Sequence, residues 1–342
     1  MSNLDWINLN TSYYSKNKFC IFKSINNGLY LIFYLIGSKE LISYDLNNNV
    51  IINKIKNPNI PSFYSEYTCI RHFLDNINKR DLILTSEPSS KLQIWDFRNL
   101  ECIISIENIY SKGALNSACI INDGNQNYFL TSCLNWPEGI SDLIKVYDFK
   151  GNIIKVINDS EDSVIYIDVY YDIKQSKNFI ITCCYDFVKA YDFSENKIYQ
   201  KFSESNDNTP YYDFIIRDNK GVTEIICSNF ECMIKVFNFH NGDLLNKFKI
   251  NENSRGYGIN LWKNEFLFIG LKNKVIRYIN LKTKKLIELK GHEYRPILIV
   301  IIDNINKDKL LISGDNNEVI IWENKNCNFI IKRVINLYKV GN

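Results

Sequence analysis

Three histidines, ten cysteines and a recurring set of aspartates are the residues of this chain that could carry chemistry. His292 is followed at once by Glu293 in LKGHEYRP (Leu289–Pro296), a pairing that suggests acid–base work or a metal ligand. A histidine metal site needs further ligands at suitable spacing, and neither His72 in CIRHFLD nor His240 in FHNGD has a His or Cys companion of that kind. The cysteines form no C-x-x-C, and their spacing gives no disulfide framework. Cys183 and Cys184 share an apolar run and should point to opposite faces of a strand, while Cys227 and Cys232 flank a hairpin turn. Both pairs read as reduced packing residues of a reducing, cytoplasmic compartment. No H-E-x-x-H, G-x-S-x-G, Walker A or G-x-G-x-x-G pattern occurs. A Ser–His–Asp set assembled from distant segments stays open, because its members need not be neighbours in sequence.

Asp45, Asp96, Asp148 and Asp192 stand at regular intervals, each at the end of a short apolar run and just before a turn. A carboxylate there accepts hydrogen bonds from turn amides, so these acids read as turn residues and not as paired catalytic carboxylates. What positions them is a repeat. LISYDL (Leu41–Leu46), LQIWDF (Leu92–Phe97), IKVYDF (Ile144–Phe149), VKAYDF (Val188–Phe193), IKVFNF (Ile234–Phe239), VIRYIN (Val275–Asn280) and VIIWEN (Val319–Asn324) recur along the chain. The residues at their acid position are 45, 96, 148, 192, 238, 280 and 323, so the steps run from 42 to 52 residues. A tight turn and another apolar strand follow each marker; Asn241-Gly242 tolerates the positive φ of a type I′ hairpin. Two further strands rich in Ile, Val, Tyr and Phe precede each marker, making four per unit. A period in the forties with four strands per repeat is a propeller period. The fold expected is all-β, a seven-bladed propeller of four-stranded antiparallel blades forming one domain over residues 1–342, with blades near 19–57, 66–107, 114–158, 163–204, 210–250, 256–290 and 296–336.

The chain resembles the WD40-repeat β-propeller family. LQIWDF carries the family's WD pair as Trp95-Asp96, and Gly291-His292 is similar to its GH pair, standing a family-like distance before Trp322. The other repeats replace Trp by Tyr44, Tyr147, Tyr191, Phe237 and Tyr278, and Glu323 stands for the last Asp. In the family the equivalent histidine bonds a Ser or Thr of the second strand, which meets the Trp of the third, with an Asp in the intervening turn. Ser313, Trp322 and either Asp315 or Asn316 are the residues that the resemblance assigns, which makes His292 a structural brace. Ring closure has two readings. FIIKRVI (Phe329–Ile335) supplies blade seven with its own outer strand, while WINLN (Trp6–Asn10) is either an overlapping closure strand or an extra edge.

Composition excludes several functions. Charged residues are 23% of the chain and the net charge is +3, so no strongly basic face for nucleic acid is indicated. The heavy use of Asn, Ile, Lys, Tyr and Phe matches AT-rich codons and suggests an AT-rich eukaryotic source. The longest apolar run, LYLIFYLIG (Leu29–Gly37), is far short of the ~20 residues of a membrane helix. The chain start has no basic segment leading into an apolar one, so no secretory signal is expected. No cofactor, metal, membrane or small-molecule substrate is expected, and nucleic acid is disfavoured. The function expected is a non-enzymatic scaffold for protein–protein contacts. Two rivals are a structural subunit of a multi-subunit ribonucleoprotein or cytoskeletal assembly, and an enzyme or receptor using the central channel. RNA contact would draw on Lys282, Lys284 and Lys285 if they joined Arg277 or Arg295. Propeller loops carry binding residues, and Tyr and Arg are enriched at binding hot spots. The partner-binding candidates on the face of the loops that lead into each blade are Phe63, Tyr64, Tyr67, Tyr211, Tyr212, Arg255, Tyr257, Tyr294 and Arg295. The alternative for the aromatics is that they start a strand and pack inward. Trp136-Pro137, in a lengthened loop of blade three, is a further candidate, its alternative being a Trp folded back over its own blade.

Overall fold

The computed structural model describes residues 19–35, 40–56, 69–87, 90–110, 114–134, 144–157, 163–204, 209–250, 254, 256–296, 298–303, 309–315, 317–325 and 328–341. Each repeat folds as four antiparallel strands in chain order, giving seven four-stranded sheets. Blade one is β1 (Phe19–Lys23), β2 (Leu29–Leu35), β3 (Glu40–Asp45) and β4 (Val50–Lys56). Blade two is β5 (Cys69–Asp75), β6 (Arg80–Glu87), β7 (Lys91–Asp96) and β8 (Glu101–Ile106). Blade three is β9 (Ala114–Asn122), β10 (Asn127–Leu134), β11 (Ile144–Asp148) and β12 (Ile153–Ile157). Blade four is β13 (Tyr166–Asp172), β14 (Lys177–Cys183), β15 (Val188–Asp192) and β16 (Lys197–Phe202). Blade five is β17 (Tyr211–Asn219), β18 (Val222–Asn229), β19 (Met233–Asn238) and β20 (Leu244–Lys249). Blade six is β21 (Gly256–Trp262), β22 (Phe266–Leu271), β23 (Val275–Asn280) and β24 (Leu286–Lys290). Blade seven is β25 (Leu298–Asp303), β26 (Lys309–Gly314), β27 (Glu318–Lys325) and β28 (Asn328–Asn336), followed by the single-turn helix α1 (Leu337–Gly341).

Every sequence marker lies on the third strand of its blade. In six blades the ladder between third and fourth strands shifts register at the marker aromatic: at Tyr44, Trp95, Tyr147, Tyr191, Phe237 and Trp322. A bulge there adds twist. Blade six, whose pairing runs without a shift, is the exception. The acid after the aromatic then fixes the turn. Asp45 accepts from the amides of Asn47 at 2.7 Å and Asn48 at 3.0 Å, and Asp148 from those of Lys150 and Asn152. Asp96 accepts from Arg98, and Asp192 from Ser194 and Glu195. Burial alone would raise the Asp192 carboxyl, but Lys177, the Ser194 hydroxyl and these amides hold it down to about 2. The repeated acids are consumed by backbone donors.

The core lies between blades. Cys119, Leu130 and Val146 of blade three pack with Ile167, Ile180 and Tyr191 of blade four, and similar apolar clusters join each neighbouring pair. The cluster at the seam joins blades seven, one and two, which closes the ring. Gly314 of β26 faces Phe19 of β1, and a Cβ there would collide with the Phe19 ring. Arg333 of β28 donates to the Leu46 carbonyl of blade one at 2.7 Å. Leu337 of α1 donates to the Asn317 carbonyl and buries its side chain in the seam. The outer strand of blade seven is therefore β28, which contains FIIKRVI. WINLN lies outside the described residues. Among those residues no helix is long and apolar enough to cross a membrane.

Candidate functional site

One face of the ring carries the loops between blades and the turns between second and third strands. On it, blade seven gathers the residues that looked chemical. The Trp322 indole donates to Ser313 Oγ at 2.7 Å; Ser313 Oγ lies 2.7 Å from His292 Nε2, and His292 Nδ1 lies 3.0 Å from Asp315 Oδ2. Only one proton arrangement satisfies a neutral imidazole. An indole can only donate, so Ser313 accepts from it and gives its own hydrogen to Nε2. The hydrogen then sits on Nδ1 and goes to the carboxylate. Asp315 Oδ1 also accepts from the amides of Asn317 and Glu318, and Oδ2 from the amide of Tyr294 at 3.2 Å. The network ties the incoming loop to the turn after β26. Asp315 fills the acid position, and Asn316 lies outside the described residues.

The order Ser–His–Asp is that of a hydrolase triad, but its surroundings oppose that use. Ser313 and Asp315 are wholly inaccessible and His292 is buried. The indole N–H of Trp322 occupies the Ser313 oxygen that a nucleophile would need to keep available. Metal binding fares no better. His292, Asp315 and Glu318 bring donor atoms within 4.8 Å of one another. The amides of Glu293 and Tyr294 donate to the same carboxylate oxygens, at 3.3 Å and 3.2 Å, so a cation there would compete with backbone donors. Burial, reinforced by the charge of Asp315, pushes the Glu318 carboxyl above the usual range.

The other histidines hold blades together. His72 Nε2 meets Asp81 at 2.7 Å while its ring stacks on Phe22 at 4.0 Å, joining blades two and one. Burial lowers its basicity despite the neighbouring carboxylate. His240 Nδ1 meets Gln175 and Tyr199 of blade four on the opposite face. The thiols of Cys20, Cys69, Cys119 and Cys183 are pushed up by burial, and Cys232 reaches about 12 for the same reason, so all stay protonated near neutral pH. Cys183 and Cys184 pack into different interblade clusters.

Sequence reasoning missed a polar set at the axis. Arg71 of β5 pairs with Asp168 of β13 at 3.2 Å, reaching past blade three, and its guanidinium lies 4.8 Å over the Tyr166 ring. Tyr166 donates to Asp168 at 2.8 Å, and Asp213 of β17 accepts from the amide of Ile259 in blade six at 2.7 Å. The available signal was a charge in the middle of three of the innermost strands, in CIRHF, YIDVY and YYDFI.

The rim candidates divide. Phe63, Tyr64, Tyr67, Trp136, Pro137 and Arg255 lie outside the described residues. Tyr211, Tyr212 and Tyr257 are 0%, 4% and 3% exposed, so they are not offered to a partner; they open innermost strands, where the adjoining blades cover both faces. Tyr294 is 48% exposed and Arg295 is half-buried. Arg295 donates to the Tyr257 hydroxyl at 3.1 Å with its guanidinium 5.1 Å over that ring; Tyr257 stacks on Tyr212, which packs on Phe230. The buried tyrosines are thus the platform beneath Arg295. Lys274 Nζ lies 6.0 Å over the Tyr294 ring. The lysines considered for RNA do not join them. Lys282, Lys284 and Lys285 follow β23 on the opposite face, where Lys282 pairs with Glu265 at 3.2 Å and Lys284 packs over Phe248.

No family model matches the chain, and no curated protein matches it. Among solved structures the fold recurs in 1509 chains. One is the computationally designed protein Ika8, which matches with a TM-score of 0.64 at 13% identity, over 96% of this chain and 90% of that one. At that identity the likeness establishes architecture alone.

Proposed function

We propose that the chain is a WD40-like scaffold that displays the rim of blades six and seven to a protein partner. The observation that carries this reading is Tyr294, an exposed aromatic on a loop whose backbone is held by the buried His292–Asp315 network. Exposed aromatics beside a fixed arginine are the residue types that dominate interface energetics. A loop already immobilised loses little entropy when it binds. The hydrogen-bonded His292, Ser313 and Trp322, at the positions of the GH and WD marks, support placing the chain with WD40 propellers. The test is affinity purification of the tagged full chain with mass spectrometry, beside Tyr294→Ala/Arg295→Ala. Partners captured by the parent and lost with the variant, at unchanged folding, support the reading. A capture profile shared by both refutes it.

A second reading, a subunit of a permanent assembly, draws on the perimeter. Ile153 and Ile154 of β12, Ile198 of β16, Leu245 of β20 and Ile331 and Val334 of β28 are all exposed on outer strands. Larger exposed apolar surfaces mark interfaces. Sedimentation of the native protein from its source at a mass far above that of one chain, stable to salt, would favour it over a transient scaffold.

A further inference from the structure

We propose that the rim of blades six and seven takes an acidic, extended polypeptide segment, a reading that rests on the scaffold function above. Lys249 at the end of β20, Lys272 and Lys274 in the turn after β22, Lys290 at the end of β24 and Arg295 before β25 lie at strand ends and turns of the incoming-loop face, with Lys274 beside the Tyr294 ring. The four lysines are exposed. Much of the carboxylate of the same sector is withdrawn from solvent. Asp315 and Glu318 are buried around His292, and Glu288 serves Arg277 at 3.1 Å and Lys290 at 3.7 Å. Glu293 and Glu231 are the acids that remain exposed on the described residues of these loops. Among the described residues Lys249, Lys272 and Lys274 have no carboxylate partner.

On the opposite face part of the lysine charge is paired, although Lys220, Lys263 and Lys285 there also have no carboxylate partner among the described residues. There Lys174 pairs with Asp218 at 2.6 Å, Lys177 with Asp192 at 2.7 Å and Glu195 at 3.0 Å, and Lys282 with Glu265. Among the described residues, the blade six and seven rim thus carries three exposed lysines, Lys249, Lys272 and Lys274, that no carboxylate engages. Complementary charge steers encounter and selects the partner. The aromatic arrangement decides between a polypeptide and a nucleic acid. Single-stranded nucleic acid needs ring faces on which bases stack, but Tyr212 and Tyr257 are buried and the Tyr257 face is covered by Arg295. Among the described residues of this sector, Tyr294 offers an exposed ring to a side chain of the partner, with Lys274 beside it.

The experiment measures fluorescence anisotropy of the full chain with labelled deca-glutamate, deca-lysine and oligouridylate at low salt. Deca-glutamate is expected to bind best, to weaken as salt rises, and to lose about tenfold in affinity with Lys274→Glu/Arg295→Glu. Lys274→Gln/Arg295→Gln, a milder change, should lose less but in the same direction. Lys282→Glu/Lys285→Glu on the opposite face should leave binding unchanged. Equal deca-glutamate binding by parent and charge-reversed chain, checked by matching circular dichroism melts, overturns the proposal. Tighter binding of oligouridylate than of deca-glutamate overturns it in favour of nucleic acid. If deca-glutamate is ignored while Tyr294→Ala/Arg295→Ala still loses partners in affinity purification, the acidic chemistry falls and the scaffold reading stands.

Discussion

Blades seven and three solve the same problem with different chemistry. Each must fasten an incoming loop to its second strand. Blade seven uses the relay from Trp322 through Ser313 and His292 to Asp315. In blade three Tyr110 takes the place of the histidine, its hydroxyl donating to the Thr131 carbonyl at 3.0 Å and lying 3.0 Å from Thr131 Oγ1. Lys145 reaches across, its Nζ 5.0 Å over the Tyr110 ring and donating to the Ile109 carbonyl at 3.0 Å. Tyr147 replaces the Trp and stacks on Phe129 at 5.0 Å. The repeat specifies a corner to be filled and a turn to be capped, while the filling chemistry is free to drift. Only the blade seven version also holds the amide of the exposed aromatic at the rim.

The contrast can be broken at its largest element first. Trp322→Ala empties a buried indole site and leaves Ser313 without its donor. It should cost about 3 to 5 kcal/mol in a urea melt, whereas Tyr147→Phe in blade three should cost less than about 1 kcal/mol, since packing survives. Equal losses would mean that the two corners carry equal weight. His292→Ala comes next. It strands Ser313 and Asp315 in a buried site and should cost about 1 to 3 kcal/mol. Tyr110→Phe, which removes one hydroxyl, should cost about 1 kcal/mol.

The smallest effect has the opposite sign. The folded carboxyl of Glu318 titrates above its unfolded value, so between the two values the folded state holds the extra proton and stability falls as pH rises through that window. Glu318→Gln keeps an oxygen for the Glu293 amide without the charge. It should raise the melting temperature slightly at neutral pH, and the gain should vanish in acid below the unfolded value. A destabilised variant at neutral pH would show that the charge of Glu318 is needed by His292.

Much of the architecture was legible because the aromatic–acid markers answer to local physics. A bulge adds twist at the aromatic and a carboxylate caps the turn, and both depend on residues adjacent in sequence. His292, Ser313 and Trp322 were legible through the resemblance of their spacing to WD40 repeats, not through local physics. What stayed hidden depends on neighbours that only the ring supplies. Tyr212 and Tyr257 sit in loop-like sequence but are covered by the next blade. Lys189 and Lys235 are charges within the markers VKAYDF and IKVFNF, yet are 1% and 3% exposed, packed over Phe187 and against Glu204 and Tyr211. Arg71 finds Asp168 two blades away. No periodicity in a single chain marks such a pair, because the contact is set by ring curvature.

The central claim is that the His292 network holds the loop that displays Tyr294 and Arg295. Hydrogen exchange of the Tyr294 amide, which donates to Asp315, tests it most directly. In His292→Ala that amide and the Leu289–Pro296 segment should exchange about tenfold faster, while blade three exchanges as in the parent. Unchanged protection of Tyr294 in a variant that has lost the histidine would contradict the claim.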